Sequence, residues 1–281
     1  MRRSPRRGSL GLALLAAPGA GLLAFFFLLP LAAVSRDALA EGTEAFRRVV
    51  TNPLFLRGLA GSLTLGTVAS VFSLVVGAVV ALHLARLPDR LRAALVFCIS
   101  LPLTFSGLIV AYGFILVYGR AGFLTQTLAM LSVDPAWFSG LLFSPAGLAF
   151  ASSYYLIPRV VLLLLPVLLN FDTVQLAAAE SLGASRRRAI LDVLLPQILP
   201  TAFTAFCLIA AVVVGAYGTA LALVGTRVNI LPLQLYSMIS ETGSDFAAAA
   251  ALSLILLAFC SSIMAVGEIV ASRHETRDVQ V

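Results

Sequence analysis

Long apolar runs alternate with short polar ones along the whole chain. Residues 10–34, 59–85, 93–118, 146–169, 201–224 and 246–271 are almost free of charge. Each has roughly the 20 apolar residues that an α-helix needs to cross a bilayer. Between them lie segments 35–58, 86–92, 119–144, 171–200 and 225–245, and a polar tail follows from 272. The pattern predicts an all-α polytopic fold with six membrane-spanning helices. Run 10–34 follows Arg2, Arg3, Arg6 and Arg7, as in a secretory signal, with a weak cleavage site at 38–40. It is longer than the apolar stretch of about 7–15 residues in such signals, so it is expected to remain as the first span. Pro102 is expected to kink the third span, and the fourth carries Pro158, Arg159 and Pro166. Segment 119–144, interrupted by Asp134 and Trp137, is expected outside, with Trp137 at the headgroups.

The longest polar interruption of the second half is 171–200. Asp172 reads as a helix N-cap with Gln175 completing a capping box. Ala177, Ala178 and Ala179 favour helix, and Gly183 stands where a left-handed residue would end it. Ser185 then caps a second helix that runs into Pro196. A short helix, a sharp turn and a second helix returning to the membrane are expected.

Composition narrows the class. The chain of 281 residues is 60% hydrophobic and 11% charged, against about 25% charged in soluble domains. All nineteen basic residues are Arg. Without Lys there is no conventional phosphate-binding loop and no Schiff base. Any ATP that drives this protein is hydrolysed by another chain. Cys98, Cys207 and Cys260 lie far apart in apolar runs, and His83 and His274 stand alone, so no metal motif is present.

Counting Arg sets the orientation. With the N-terminus inside, inside segments hold twelve and outside segments six. The positive-inside rule therefore puts both termini and segment 171–200 in the cytoplasm. The net charge of +6 follows this sidedness and is no nucleic-acid footprint. No internal repeat is evident, which disfavours an inverted-repeat secondary transporter.

Segment 171–200 resembles the cytoplasmic loop of inner-membrane permease subunits of binding-protein-dependent ABC importers. That family has Glu-Ala-Ala, three residues, Gly, nine residues and Ile-x-Leu-Pro. Ala178, Ala179 and Gly183 match, and Val193, Leu195 and Pro196 follow at the right spacing. Ala177 replaces the family's Glu, and Glu180 lies three positions late. The resemblance covers spans two to six, residues 59–281, with 1–58 as a peripheral N-terminal part. It implies a type I importer permease (MetI-like) fold in a bacterial inner membrane. It also implies a second permease, identical or related, two ATPase subunits, and a periplasmic or surface substrate-binding protein. No cofactor is expected on this chain. The ATPase-coupling residues it implies are Asp172, Ala178, Ala179, Glu180, Gly183, Ala184, Ser185 and Arg186. Arg186, Arg187 and Arg188 also read as a solvated cluster facing headgroups.

Arg159 is the one Arg expected inside a span, about 20 Å from the outer end at 1.5 Å per residue. A charge there faces protein or water. It either meets the solute or pairs with an acid of a partner chain. Gly215-Ala216-Tyr217-Gly218-Thr219 resembles a family pattern, with Ala216 where relatives have an acid. Its glycines permit close helix packing or local unwinding. Tyr112, Tyr154, Tyr155, Tyr217, Gly218 and Thr219 are, with Arg159, the candidate pathway residues; the tyrosines read equally as interface anchors. Stretch 154–185 resembles permeases for polyamines, ferric iron, thiamine, sulfate or phosphonates. With Arg159 and no acid mid-span, the solute expected is anionic or zwitterionic. An integral-membrane enzyme or a scaffold is the alternative class, and the enzyme lacks the intramembrane acids, His cluster or metal motif it would need.

The Arg count generates a test of sidedness. Cysteines placed at Ser185 and Ser244 in a cysteine-free chain should be labelled from opposite sides by an impermeant maleimide. Labelling of both from the outside would overturn the six-span arrangement.

Overall fold

The computed structural model describes residues 16–240 and 245–278, which are helical apart from turns and contain no strand. Arg2, Arg3, Arg6 and Arg7 and the labelling position Ser244 lie outside the described residues. Among the described residues six helical segments are long and apolar enough to cross a membrane: Ala16–Leu39, Pro53–Leu84, Gly107–Ala129, Pro145–Asn170, Arg186–Val214 and Phe246–Ser272. In chain order the helices are α1 (Ala16–Leu39), α2 (Glu44–Thr51), α3 (Pro53–Leu84), α4 (Asp89–Ser100) and α5 (Gly107–Tyr118). Then come α6 (Phe123–Ala129), α7 (Pro135–Leu142), α8 (Pro145–Asn170) and α9 (Val174–Ser181). The last four are α10 (Arg186–Val214), α11 (Gly218–Val224), α12 (Leu231–Ser240) and α13 (Phe246–Asp278). The chain divides into two compact units, one formed by the chain up to Pro53 with Ser237–Ile255, the other by Leu54–Tyr236 with the chain from Leu256.

In the smaller unit Arg48 Nη2 bridges Glu41 at 2.7 Å and Asp245 at 3.0 Å. The hydrogen bond to Glu41, with the charge of Asp245 behind it, raises the pKa of Arg48 above its ordinary value. Asp245 also caps α13, accepting the N–H of Ala248 at 2.9 Å.

In the larger unit α3 shows how a membrane helix packs. Gly58, Ser62, Gly66, Ser70, Ser73, Gly77 and Ala81 recur every three or four residues and are all buried. The opposite face exposes Leu56, Val68, Val71, Val75 and Val79. Lipid tails are as apolar as Leu, so large side chains gain little by leaving them, whereas small ones let backbones approach. A Cβ added at Gly77 would lie 2.7 Å from Val160, and one at Gly66 would lie 3.0 Å from Val214. Helix α8 is the buried centre: Leu148, Leu156, Val160, Val161 and Leu164 are at most 1% exposed. Ser144 caps it through the N–H of Gly147, with Pro145 in the first turn.

Two expected spans are built differently. Run 93–118 is not one kinked helix. It breaks into α4 and α5 around a 3-10 turn, Leu101–Thr104. Pro102 sits in that turn, and Ser106 restarts the helix by accepting the N–H of Ile109 at 3.4 Å. Run 201–224 breaks too, at Gly215-Ala216-Tyr217, and α11 follows. At its other end the helix does not begin at residue 201. It continues back through Pro196 to Arg186, with a π turn at Ile190–Leu194. The proline ring would clash with the carbonyl four residues earlier, and the wider π turn gives it room.

The close approaches predict a stability contrast. A Cβ at Gly61 would fall 2.1 Å from the carbonyl oxygen of Asn229, while at Gly113 nothing lies within 4 Å. Gly61→Ala should destabilise the protein by about 1–3 kcal/mol. Gly113→Ala should leave the melting temperature unchanged or raise it slightly, since Ala is the better helix former. Equal melting of the two variants in detergent would refute this packing.

Candidate functional site

Two regions gather the candidate residues. The first is the α9–α10 hairpin. Asp172 Oδ1 accepts the N–H of Val174 at 2.9 Å, which satisfies one orphan donor of the first turn. The capping box expected with Gln175 is not formed: Thr173 occupies the cap position. The Gln175 side chain is used elsewhere, its Oε1 accepting from Gln197 Nε2 at 2.7 Å. Gly183 has φ of 90°. Its N–H bonds to the Glu180 carbonyl at 3.0 Å, and the N–H of Ala184 bonds to that of Ala179 at 3.1 Å. This pair of bonds is the Schellman ending, and its left-handed residue favours Gly. Ser185 caps the next helix through the N–H of Arg188 at 3.4 Å.

No residue of α9 is buried. Ala178 is open and Ala179 half-buried. Leu182, at the tip, is 90% exposed. Glu180 reaches across the turn to Arg186 at 3.3 Å, and Arg188 pairs with Asp192 at 3.5 Å. Exposed pairs of this kind contribute at most about 1 kcal/mol. Leu182 was not singled out from the sequence, because its exposure depends on the turn that holds it outward.

The second region lies where the two helix breaks meet. Thr219, in the first turn of α11, donates its hydroxyl proton to the carbonyl of Gly107, the first residue of α5, at 3.1 Å. A Cβ at Gly107 would stand 2.5 Å from that hydroxyl oxygen, so Gly107 is required for the contact. A cavity of about 310 Å³ opens beside it. The 102–108 turn, Tyr155 and Arg159 of α8, Val212 of α10, and Ala216, Gly218 and Thr219 line it. Arg159 Nη1 donates to the carbonyl of Tyr155 at 2.6 Å, and the guanidinium carbon lies 5.6 Å from the Tyr155 ring centre. Among the described residues no carboxylate lies within ion-pair distance of Arg159. The Tyr155 hydroxyl is buried and makes no hydrogen bond.

Tyr155, Arg159, Gly218 and Thr219 are thus brought together. The other three tyrosines are placed apart. Tyr154 lines an apolar groove of about 500 Å³ with Phe105, Phe114 and Phe150, its ring edge-on to Phe114 at 5.9 Å. Tyr112 is exposed and borders neither space. Tyr217 packs on Tyr236 with ring centres 5.3 Å apart. The 101–107 turn was missed as a site element. Its signal was Leu-Pro followed by Ser-Gly inside an apolar run, a stop and a fresh cap.

Residues 73–275 match the family model of the binding-protein-dependent transport system inner membrane component. The chain is 29% identical over 265 residues to a putative 2-aminoethylphosphonate transport system permease protein of Salmonella typhimurium, covering 91% of each. It is 29% identical over 248 residues to the chloroplastic sulfate permease 2 of Chlamydomonas reinhardtii, covering 87% of this chain and 66% of that one. To a spermidine/putrescine transport system permease protein of Salmonella typhimurium it is 28% identical over 188 residues, 64% and 65% of the two chains. A crystal structure of a bacterial alginate ABC transporter, in complex with alginate pentasaccharide-bound periplasmic protein, contains a chain of the same fold. Its TM-score is 0.74 at 18% identity, over 95% of this chain and 96% of that one.

The contact between the breaks is testable. Thr219→Val keeps the shape but removes the donor to Gly107, and should lower stability by about 1 kcal/mol. Thr219→Ser should retain most of it. Identical melting of Thr219→Val and wild type would show that the hydrogen bond does not hold the breaks together.

Proposed function

The chain belongs to the family of binding-protein-dependent transport inner-membrane components, and on that premise we propose how it works within an ABC importer. It forms the translocation pathway for a small polar solute, paired with a second permease. A substrate-binding protein delivers the solute from outside, and two separate ATPase subunits supply the energy. The α9–α10 hairpin is the ATPase docking surface, and it lies in the cytoplasm with both termini. The observation that carries this is the form of the hairpin. A capped helix with no buried residue ends in a Schellman turn that presents Leu182 to solvent. The tip so formed leaves Leu182 and the polar face of α9 free for a partner to cover.

The continuity of α10 supports a mechanical role. The second arm of the hairpin is the same helix that reaches Val212 at the cavity. Force applied to α9 passes directly to Ser185 and Arg186, and also through the Gln175–Gln197 hydrogen bond. The solute is anionic or zwitterionic, such as a phosphonate or sulfate. The names of two relatives agree with this, while a third transports spermidine and putrescine, which keeps a polyamine as the competing reading alongside ferric iron and thiamine.

The test uses the chain co-expressed with its ATPase. Gly183→Val forces a β-branched residue to positive φ and should weaken ATPase association or uncouple ATP hydrolysis from uptake. Leu182→Ser leaves the turn intact, and should weaken association alone. Wild-type copurification and uptake in both variants would defeat the docking assignment.

A further inference from the structure

We propose that the cavity between the two helix breaks is a binding site for an oxyanion head group of the transported solute, with Arg159 as its charged ligand. The proposal rests on the importer reading above and deepens it. An Arg within a span is costly unless its charge is met. Here the chain meets it only halfway. One terminal nitrogen, Nη1, is anchored on the Tyr155 carbonyl and the ring of Tyr155 flanks the cation. Both partners are neutral, so the cavity keeps a full positive charge. Nε and Nη2 have no partner among the described residues. Anchoring one nitrogen of a planar fork fixes its direction and leaves the other edge for a bidentate oxyanion, a geometry that Lys cannot supply.

The rest of the lining fits the same ligand. It contains no acid. Leu108, in the first turn of the twelve-residue α5, borders the cavity, so the positive end of that helix is turned to it. A volume of about 310 Å³ is that of a site for a small solute. A polyamine, ferric ion or thiamine would bring positive charge against an uncompensated guanidinium, whereas a phosphonate or sulfate would neutralise it.

Phenylglyoxal labelling of the purified, delipidated full chain tests this, with each Arg followed by peptide mass spectrometry and exposed Arg187 as the internal reference. 2-Aminoethylphosphonate or inorganic sulfate should slow modification of Arg159 saturably, roughly tenfold at about ten times the half-protecting concentration. Arg187 should be unaffected, and putrescine should protect neither. Protection by neither oxyanion, equal protection by putrescine, or an Arg159 that reacts with no reagent at all would each overturn the site. Protection by phosphatidylglycerol but not by the free anions would assign the cavity to a lipid headgroup and overturn the solute. In the assembled importer, Arg159→Gln should abolish oxyanion uptake and Arg159→Lys should restore only part of it. Full rescue by Lys would remove the bidentate geometry. Failure of the importer reading itself would show differently, as a chain that does not copurify with its ATPase whatever stands at 159.

Discussion

A backbone inside hydrocarbon must satisfy its own hydrogen bonds, and a helix that stops there leaves donors and acceptors exposed. This constraint governs the larger unit. Its two interruptions, at 101–106 and 215–217, border the spans Gly107–Ala129 and Arg186–Val214 and are set against one another. Thr219 supplies a donor to the Gly107 carbonyl, Ser106 caps the restarted α5, and Gly107 lets the two backbones approach. Together the two breaks enclose a cavity, and the buried α8 delivers Arg159 to it.

The same economy of surface appears in α3. Most of its buried residues are small, while Leu56, Val68, Val71, Val75 and Val79 face outward. Helices α8 and α10 pack directly on one another, and α3 approaches Val160 and Val214 through Gly77 and Gly66. Those are the helices that bring Arg159 and Val212 to the cavity.

The hairpin and the cavity are joined by one unbroken element. Had α10 ended at Pro196, a push on α9 would have been absorbed in a loop. The π turn at Ile190–Leu194 lets the helix pass the proline instead, and the Gln175–Gln197 pair braces α9 against it. Movement of the tip at Leu182 is therefore movement of α10, in the framework of the importer proposed above.

The sequence by itself determined the class and much of the α9–α10 hairpin. Six apolar stretches are legible because bilayer thickness sets a minimum length for each span. Gly183 and Ser185 are legible because helix ends are local events, settled by residues a turn apart. Arg159 stood out because a charge in a span is rare. What the tertiary structure decided is whatever depends on residues far apart in the chain. Pro102 announced a disturbance, but a kink and a full break share one local signal. At the break Thr219, more than a hundred residues on, donates to the Gly107 carbonyl, a contact that no local signal announces. Pro196 read as an end, and packing made it a continuation. Tyr155 and Tyr112 are both tyrosines in apolar runs, yet one lines the cavity and the other is exposed. Which face of a uniformly apolar helix turns inward is set by its neighbours, and hydrophobicity, nearly equal on every side, carries no record of it.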